Sequence, residues 1–442
     1  MKYRIREQNE LKPSGVEWLG DIPKKWQFTR LKYCFTYKKG KNPDIIFDEN
    51  FDNKLLPYLS TEYLRKGTNI QYVDNQNRNY LIANFGDILL LWDGANAGEF
   101  FISKEGIVSS TMALLKKINQ NDIDLFFKYF LKSIEKYLRS STTGMGIPHI
   151  NSQILNNLTL ILPNIVEQQK IANFLDEKSK IFDEAISKKE QLISKLELAK
   201  QSLISEVVTG KLKIVEQNSK LQTIKREENE LKSSGVEWLG DIPKDWKLTK
   251  LKYLGDAIIG LTYSPTDVVD KNEGILVLRS SNVQNKRITF EDNVYVKSVI
   301  PKKLLTKIDD ILICSRNGSR NLIGKNALIT EKSQDLTFGA FMTIFRSKYN
   351  KYLFYIFNSD IFEAQSASFL SSTINQLTTG NLNNFKIVLP SLEEQQKISK
   401  YLDEKLIHFD NTIEKTKQSI TKLKEAKEAL ISQAVTGKIE VL

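Results

Sequence analysis

The sequence contains two copies of one unit, and this duplication constrains the fold more than any other feature. Residues 9–33 match residues 229–253 at 20 of 25 positions, with an offset of 220. Two further pairs match with an offset of 227: EQQKIANFLDEK at 167–178 with EQQKISKYLDEK at 394–405, and LISEVVTGK at 203–211 with LISQAVTGK at 430–438. Such matches in two registers do not arise by chance, so the chain is an internal duplication.

Between the repeated segments the two copies differ. Residues 34–140 and 254–371 share little beyond scattered apolar positions, and the change of offset falls inside them. We call the repeated segments the frame and these two stretches the first and second inserts. Because the inserts have diverged while the frame has not, the pattern predicts inserts that perform different versions of one task.

Each copy is predicted to close with a long helix. The first begins after Pro163 and the second after Pro390, where Ser391 and Glu394 form a capping box. Glycines stand where a left-handed residue would end each helix: Gly210 and Gly437. The roughly 40 residues between these signals contain neither proline nor glycine, which favours uninterrupted helices.

Apolar residues recur along both helices at steps of three and four, as in the seam of a coiled coil. The predicted seam of the first helix is Ile171, Leu175, Phe182, Ala185, Leu192, Leu196, Ala199 and Leu203. That of the second is Ile398, Leu402, Phe409, Leu423, Ala426 and Leu430, with Ile413 and Ile420 in place of Thr412 and Ser419. Two separate amphipathic helices lying on globular cores would give a similar pattern.

Composition limits the classes of protein that the chain can belong to. The balance of 64 basic against 53 acidic residues gives a net charge of +11, a modest excess that favours a polyanionic partner such as nucleic acid. Two cysteines and two histidines predict neither a disulfide framework nor a transition-metal site. No apolar run approaches the roughly 18 residues of a membrane span, and the first ten residues lack the apolar core of a signal peptide. We therefore expect a cytoplasmic protein.

Strand-like runs in the inserts are followed by loops rich in Arg, Asn and Ser. Arg, Asn and Gln side chains can pair with guanine and adenine edges, and Ser, Lys and backbone amides suit phosphates. One such loop would be ordinary turn chemistry, but four of them at related places favour DNA recognition. The candidate DNA-binding residues are Arg65, Lys66, Asn77 and Arg78 in the first insert and Arg279, Ser280, Asn282, Arg316, Asn317, Ser319 and Arg320 in the second.

No catalytic motif accompanies these loops. The segment from Gly318 to Lys325 has five residues between its glycine and the Gly-Lys pair, and Asn326 follows, whereas a P-loop requires four and then Ser or Thr. His149 has no acid and nucleophile spaced around it and is interpreted as a loop residue. We therefore predict no catalytic residues and no metal ligands.

The repeated segments resemble those of the specificity subunits of type I restriction–modification enzymes. The resemblance is carried by SGVEWLGDIPKKW (14–26) and its copy at 234–246, LPNIVEQQKIANFLDEK (162–178) and its copy at 389–405, and the LISEVVTGK and LISQAVTGK segments. With the inserts between them it covers essentially the whole chain. It implies two α/β (α+β) target-recognition domains joined by an antiparallel coiled coil of two long helices. Antiparallel pairing relates the copies by an approximate two-fold axis, and the long second insert supplies its return path.

We accordingly predict target-recognition domains at 1–162 and 216–389 and helical spacers at 163–215 and 390–442. By resemblance, each domain reads one half of a split, asymmetric site on double-stranded DNA, and the helices set a gap on the order of one DNA turn. The resemblance also implies two methyltransferase subunits docked on the helical frame, and motor-nuclease subunits. S-adenosylmethionine, ATP and Mg²⁺ are then expected on those partners. The alternatives are a coiled-coil scaffold with two protein-binding heads, and a nuclease or methyltransferase that acts alone.

Overall fold

The computed structural model describes residues 2–51, 55–75, 79–119, 121–144, 146–369 and 375–442. The chain divides into two compact units: unit 1 comprises Met1–Glu190 and Gln418–Leu442, and unit 2 comprises Gln191–Lys417. Each long helix begins and ends inside its predicted spacer but contributes one half to each unit. Among the described residues, no helix combines the length and the apolarity needed to cross a membrane.

The elements that begin in unit 1 contain most of the first insert. The strands are β1 (Tyr3–Ile5), β2 (Leu11–Pro13), β3 (Asp21–Pro23), β4 (Gln27–Arg30), β5 (Phe35–Lys39), β6 (Leu56–Leu59), β7 (Gln71–Val73), β8 (Ile82–Ala83), β9 (Ile88–Leu91), β10 (Phe100–Ile102), β11 (Gly106–Val108), β12 (Met112–Lys117) and β13 (Thr159–Leu162). The helices are α1 (Leu31–Cys34), α2 (Thr61–Lys66), α3 (Asp124–Ser140), α4 (Ser152–Asn157) and α5 (Ile165–Val208).

The remaining elements lie in unit 2, apart from the end of the last helix and the last strand. The strands are β14 (Leu212–Gln217), β15 (Lys220–Lys225), β16 (Leu231–Ser233), β17 (Asp241–Pro243), β18 (Lys247–Lys250), β19 (Asp256–Ile259), β20 (Val268–Val269), β21 (Ile275–Leu278), β22 (Val283–Gln284), β23 (Arg287–Ile288), β24 (Val294–Val296), β25 (Ile311–Cys314), β26 (Asn326–Leu328), β27 (Thr337–Phe338), β28 (Met342–Arg346), β29 (Lys386–Leu389) and β30 (Ile439–Val441). The helices are α6 (Asn350–Ile356), α7 (Asp360–Phe369), α8 (Thr379–Asn384) and α9 (Leu392–Val435).

The two inserts share most of their sheet topology despite their unlike sequences. In unit 1, four-stranded sheets run β10-β9-β12-β5 and β7-β6-β11-β8, and β11 is parallel to β6. In unit 2, the corresponding sheets run β26-β25-β28-β19 and β20-β24-β21-β27, and β27 is parallel to β21. The first sheets match strand for strand, and the second sheets share the three strands β7-β6-β11 and β24-β21-β27, with the fourth strand on opposite edges. This match makes β6 equivalent to β21 and β9 equivalent to β25. The predicted mixed α/β class is confirmed.

Strand β9 shows why an apolar run forms the centre of each unit. Ile88 and Leu90 lie in the core that includes α3, whereas Leu89 and Leu91 lie in the core beside the second sheet. Because side chains alternate along a strand, four consecutive apolar residues bury both faces of the sheet. Strand β25 does the same in unit 2, where its residues again alternate between two cores. Each unit is therefore layered as helix, sheet and sheet.

The long helices begin and end as the sequence predicts. The Oδ1 atom of Asn164 accepts the Glu167 backbone N–H at 2.9 Å, and the Oγ atom of Ser391 accepts the Glu394 N–H at 3.2 Å. Gly210 and Gly437 have φ of 78° and 73°, and a Cβ on either would lie 2.4 Å from the ring of Pro243 or Pro23. Each helix therefore ends where both a left-handed conformation and close packing require glycine.

Both units contain an antiparallel pair of helix halves. In unit 1, Lys427 of α9 lies 2.7 Å from Asp183 of α5, and Lys424 lies 3.9 Å from Glu190. In unit 2, the end of α5 packs in one core with the start of α9, and Lys200 pairs with Asp410. Lys200 and Asp410 are the copies of Lys427 and Asp183 at an offset of 227. The predicted antiparallel pairing is confirmed.

One column of the predicted seam is wrong by a single position. Leu192, Ala199 and Ala426 are exposed, and the residues that turn inward are their neighbours Ile193, Lys200 and Lys427. The reason is the heptad step: seven residues beyond the buried Ile186 come Ile193 and then Lys200. The lysines lie at seam positions because their long stems can pack there while their ammonium groups reach aspartates of the opposite helix.

Candidate nucleic-acid interface

In unit 2, the structure brings together the two loops that the sequence singles out. One loop follows β21 and contains Ser280, and the other follows β25 and contains Asn317. The side-chain amide of Asn317 donates a hydrogen bond to the Oγ atom of Ser280 at 3.2 Å. Nearby, Lys325 donates to the Oε1 atom of Gln284 at 3.3 Å. The two loops of the second insert therefore lie side by side.

Two of these residues hold the loops in place. Asn282 is completely buried, and its amide donates to the carbonyl oxygens of Thr289 and Asp292 at 3.1 and 3.2 Å. Its own Oδ1 atom accepts the backbone N–H of Arg279 at 2.9 Å. The guanidinium of Arg279 is paired with Asp292 at 2.9 Å. The side chains of Asn282 and Arg279 therefore make contacts within the loop itself.

Three other residues of the second insert point outward. Arg316, Ser319 and Arg320 are exposed, and the guanidinium of Arg316 lies 5.3 Å from the centre of the Phe341 ring. No acidic side chain in the described part of the chain forms an ion pair with Arg316 or Arg320. Their charges are therefore available to an anionic or hydrogen-bonding ligand.

In unit 1, the candidate residues lie on α2, after the equivalent strand β6. Arg65 pairs with Glu99, with its Nε atom 3.4 Å from Oε1, and its guanidinium lies 5.6 Å from the centre of the Phe101 ring. Lys66 is exposed and lies 3.6 Å from Glu62. Since Glu99 directly follows the β9–β10 loop, the same two connections meet in unit 1 as in unit 2. Asn77 and Arg78 lie outside the described residues.

Sequence reasoning missed the part of unit 1 that corresponds to the Arg316 loop. There, Asp93 follows β9, forms a β-bridge with His149 and forms an ion pair with Lys39 at 2.8 Å. In unit 2, Arg316 forms the matching bridge with Gln376, which is the copy of His149 at an offset of 227. Equivalent loops therefore present an acidic side chain in one unit and a basic one in the other. The signal that could have found Asp93 is its place directly after the apolar run that matches β25.

Lys286 was also missed, although it lies within one of the predicted loops. It occupies the turn between β22 and β23, where Asn285 and Lys286 have φ of 50° and 62°, as type I′ hairpin turns require. Burial, together with the nearby charge of Lys200, lowers the pKa of Lys286 to about 8, against the opposing effect of Asp410. Lys286 and Arg320 line an open cavity of about 560 Å³.

Replacing Lys286 with methionine is expected to stabilise unit 2 at pH 7. The folded protein disfavours the ammonium form, so the penalty is fully present below pH 8 and is lost as the pH rises from about 8 to 10.5. We expect a gain of roughly 1–3 kcal/mol at pH 7 that shrinks across this interval, measured by urea unfolding against pH. The exposed Lys271, changed to methionine, is the control, and equal behaviour of the two variants would refute the expectation.

Comparison with known proteins decides the family. The sequence model described as the type I restriction modification DNA specificity domain matches residues 23–198 and 243–425, one segment in each copy of the repeat. The chain belongs to this family. It is therefore a non-catalytic type I specificity subunit, as the sequence predicts.

Relatives extend the match along the whole chain. The specificity subunit of the type I restriction enzyme MjaVIII from Methanocaldococcus jannaschii is 33% identical over 450 residues, covering 99% of this chain and 97% of that one. The EcoKI specificity subunit from Escherichia coli K12 is 28% identical over 212 residues, or 45% of this chain and 44% of that one. A chain from a solved type I restriction–modification system superposes with a TM-score of 0.69 at 16% identity, covering 94% of this chain and 99% of that one. The last comparison supports the fold of this specificity subunit.

Proposed function

We propose that this specificity subunit recognises a bipartite, asymmetric DNA sequence, with unit 1 reading one half and unit 2 the other. The observation that carries the proposal is the contrast between the loops that follow the equivalent strands β9 and β25. Asp93 and Arg316 follow equivalent strands and bridge to equivalent residues, yet they carry opposite charges. A carboxylate accepts from cytosine N4, whereas a guanidinium donates to guanine O6 and N7. The two units are therefore suited to different bases.

Within each unit, we assign the outward-pointing candidates to DNA. Arg316, Ser319 and Arg320 of unit 2 contact base edges or phosphates, and Lys66 and Arg65 act from α2 of unit 1. Arg65 would reach DNA by exchanging its Glu99 partner for a base or a phosphate. Asn77 and Arg78 keep the same proposed role on sequence grounds alone. Ser280 and Asn317 connect the two loops through their hydrogen bond and lie at the base of the proposed DNA-binding surface.

Family membership and the repeat support a proposal for the partners and their cofactors. We assign the faces of the helical frame, 166–205 and 393–432, to docking two methyltransferase subunits, because two copies of one surface suit two copies of one partner. Motor-nuclease subunits complete the complex. S-adenosylmethionine, ATP and Mg²⁺ belong to these partners, and no group of three His, Cys, Asp or Glu side chains in the described ranges is arranged to hold a metal.

Salt dependence distinguishes DNA recognition from a scaffold with two protein-binding heads. Neutralising roughly six to ten phosphates lowers affinity about 10³–10⁵-fold between 50 and 200 mM salt, whereas apolar protein contacts respond little. The assembled methyltransferase complex should therefore bind duplex DNA with a steep salt dependence. Binding that is absent or independent of salt would favour the scaffold.

The spacer role predicts the effect of lengthening both helices. A single helical turn inserted at 188–195 should lengthen the gap between half-sites. In α5 alone, however, such an insertion would shift the apolar seam of α5 relative to that of α9. Seven residues in each helix, after Lys188 and after its copy Lys415, keep the heptad and add about 10 Å. We expect a gap about three base pairs longer, at 3.4 Å per pair, with unchanged half-sites in a methylation map. Altered bases within either half-site would contradict the spacer role.

A further inference from the structure

A second surface, formed by the frame and not by the inserts, is present in both units. In unit 1 it contains Arg30, Lys32, Tyr33 and Asn157, which we call the cationic patch. In unit 2 its copy contains Lys250, Lys252, Tyr253 and Asn384, at offsets of 220 and 227. The duplication has therefore kept two cations, a tyrosine and an asparagine at equivalent positions, while the inserts next to them changed.

The local geometry of the patch is the same in both units. Arg30 donates to the Oδ1 atom of Asn157 at 2.8 Å, and Lys250 donates to the Oδ1 atom of Asn384 at 3.2 Å. The Lys32 ammonium lies 5.0 Å from the ring centre of Tyr33, and its copy in unit 2 lies 4.9 Å from that of Tyr253. The neutral amides of Asn157 and Asn384 therefore orient Arg30 and Lys250 without cancelling their charges.

These groups are accessible and their charges are not neutralised. Tyr33 and Tyr253 are 64% and 71% exposed. None of the four cations forms an ion pair with an acidic side chain of the described residues. Arginine, lysine, tyrosine and asparagine side chains are the groups that proteins use to contact DNA phosphates.

The patch lies close to the candidate base-reading loop of its own unit. In unit 1, the backbone N–H of Ile150 donates to the carbonyl oxygen of Trp92, directly before Asp93, and α4 then runs from there to Asn157. In unit 2, Leu377 donates to Ser315 in the same way, and α8 runs to Asn384. A six-residue helix spans about 9 Å, or roughly three steps of 3.4 Å along one DNA strand.

We propose that the cationic patch and its copy bind the sugar-phosphate backbone beside each half-site. Phosphates are identical at both half-sites, so the residues that touch them can stay alike while the base-reading loops diverge. This assignment rests on the proposed function and adds a division of labour: the frame supplies sequence-independent affinity and register, and the inserts supply sequence choice.

The test compares two variants of equal charge in the complete complex with methyltransferase subunits. The patch variant carries Arg30→Gln, Lys32→Gln, Lys250→Gln and Lys252→Gln. The control carries Lys24→Gln, Lys136→Gln, Lys225→Gln and Lys244→Gln, which are exposed lysines outside both long helices. Affinity for a duplex with the recognition sequence is measured from 50 to 300 mM salt, together with the mass of each complex and its methylation motif.

The patch variant is expected to lose roughly one unit of salt slope per cation, about four in all, while its methylation motif stays the same. A slope no flatter than that of the control would overturn the proposal. Loss of methyltransferase subunits at an unchanged slope would assign the patch to a protein partner and would also overturn it. Failure of the unaltered complex to bind any specific duplex would instead refute the proposed function itself.

Discussion

Replacing Glu394 with alanine is expected to lower the free energy of unfolding of unit 2 by about 3 kcal/mol. The carboxylate of Glu394 accepts hydrogen bonds from the guanidinium of Arg226 and, at 2.8 Å, from the Nε1 atom of Trp246. The Arg226 side chain is only 5% exposed, and its other carboxylate neighbour, Glu230, is 3.9 Å away. Removing Glu394 therefore leaves a buried cation and a buried indole N–H without their main partner.

The neighbouring residue supplies a matched control. Glu393 is 77% exposed and pairs with Lys397 on the helix surface, so Glu393→Ala should leave the stability of the protein unchanged. The copy in unit 1, Glu167, accepts from Arg6 and Trp26 at 3.3 Å, and Glu167→Ala should behave like Glu394→Ala. Urea unfolding followed by circular dichroism measures all three. Equal stabilities of Glu393→Ala and Glu394→Ala would show that the ion pair between Arg226 and Glu394 does not stabilise unit 2.

Replacing Arg316 with alanine is expected to relax recognition in one half-site only. The exposed guanidinium of Arg316 has no acidic partner among the described residues and lies over Phe341. A lost bidentate base contact costs about 1–3 kcal/mol, or roughly 5- to 150-fold in affinity. The half-site read by unit 1 should keep its sequence, because the Asp93 loop is unchanged.

The comparison for Arg316→Ala is Lys332→Ala, which removes an exposed charge from the same unit. The lysine variant should keep both half-sites and lose little affinity. Binding to duplexes that carry each substitution at each position of the site separates the two effects. Relaxed recognition in both half-sites, or in neither, would contradict the assignment of Arg316 to the bases of one half-site.

The frame could be predicted from the sequence because its signals are local. Capping residues, terminal glycines and apolar periodicity each act within a few turns of helix, and the observed helices begin and end at those signals. The prediction of the seam was wrong only where either of two neighbouring residues could lie in it, as with Leu192 and Ile193. Packing against the partner helix decides between such neighbours, and the periodicity of one helix carries no information about that packing.

The site was harder to predict because it depends on strand order. Ser280 and Asn317 are 37 residues apart and meet only because β21 and β25 end beside each other. The sequence does not show that Asn282 is buried. An asparagine that holds a loop therefore cannot be distinguished, from sequence alone, from one that reads bases. The shared topology of the inserts was likewise hidden, since a sheet needs alternating apolar residues at matching places but not the same residues.

The central claim, that two unlike units read two unlike halves of one site, is tested most directly by a genome-wide map of adenine methylation. Cells that express this chain with its methyltransferase subunits are compared with cells that express the methyltransferase alone. The account predicts one new split motif with two different halves and a fixed gap. An unchanged methylation pattern in cells where the complex assembles, or a motif with identical halves, would contradict it.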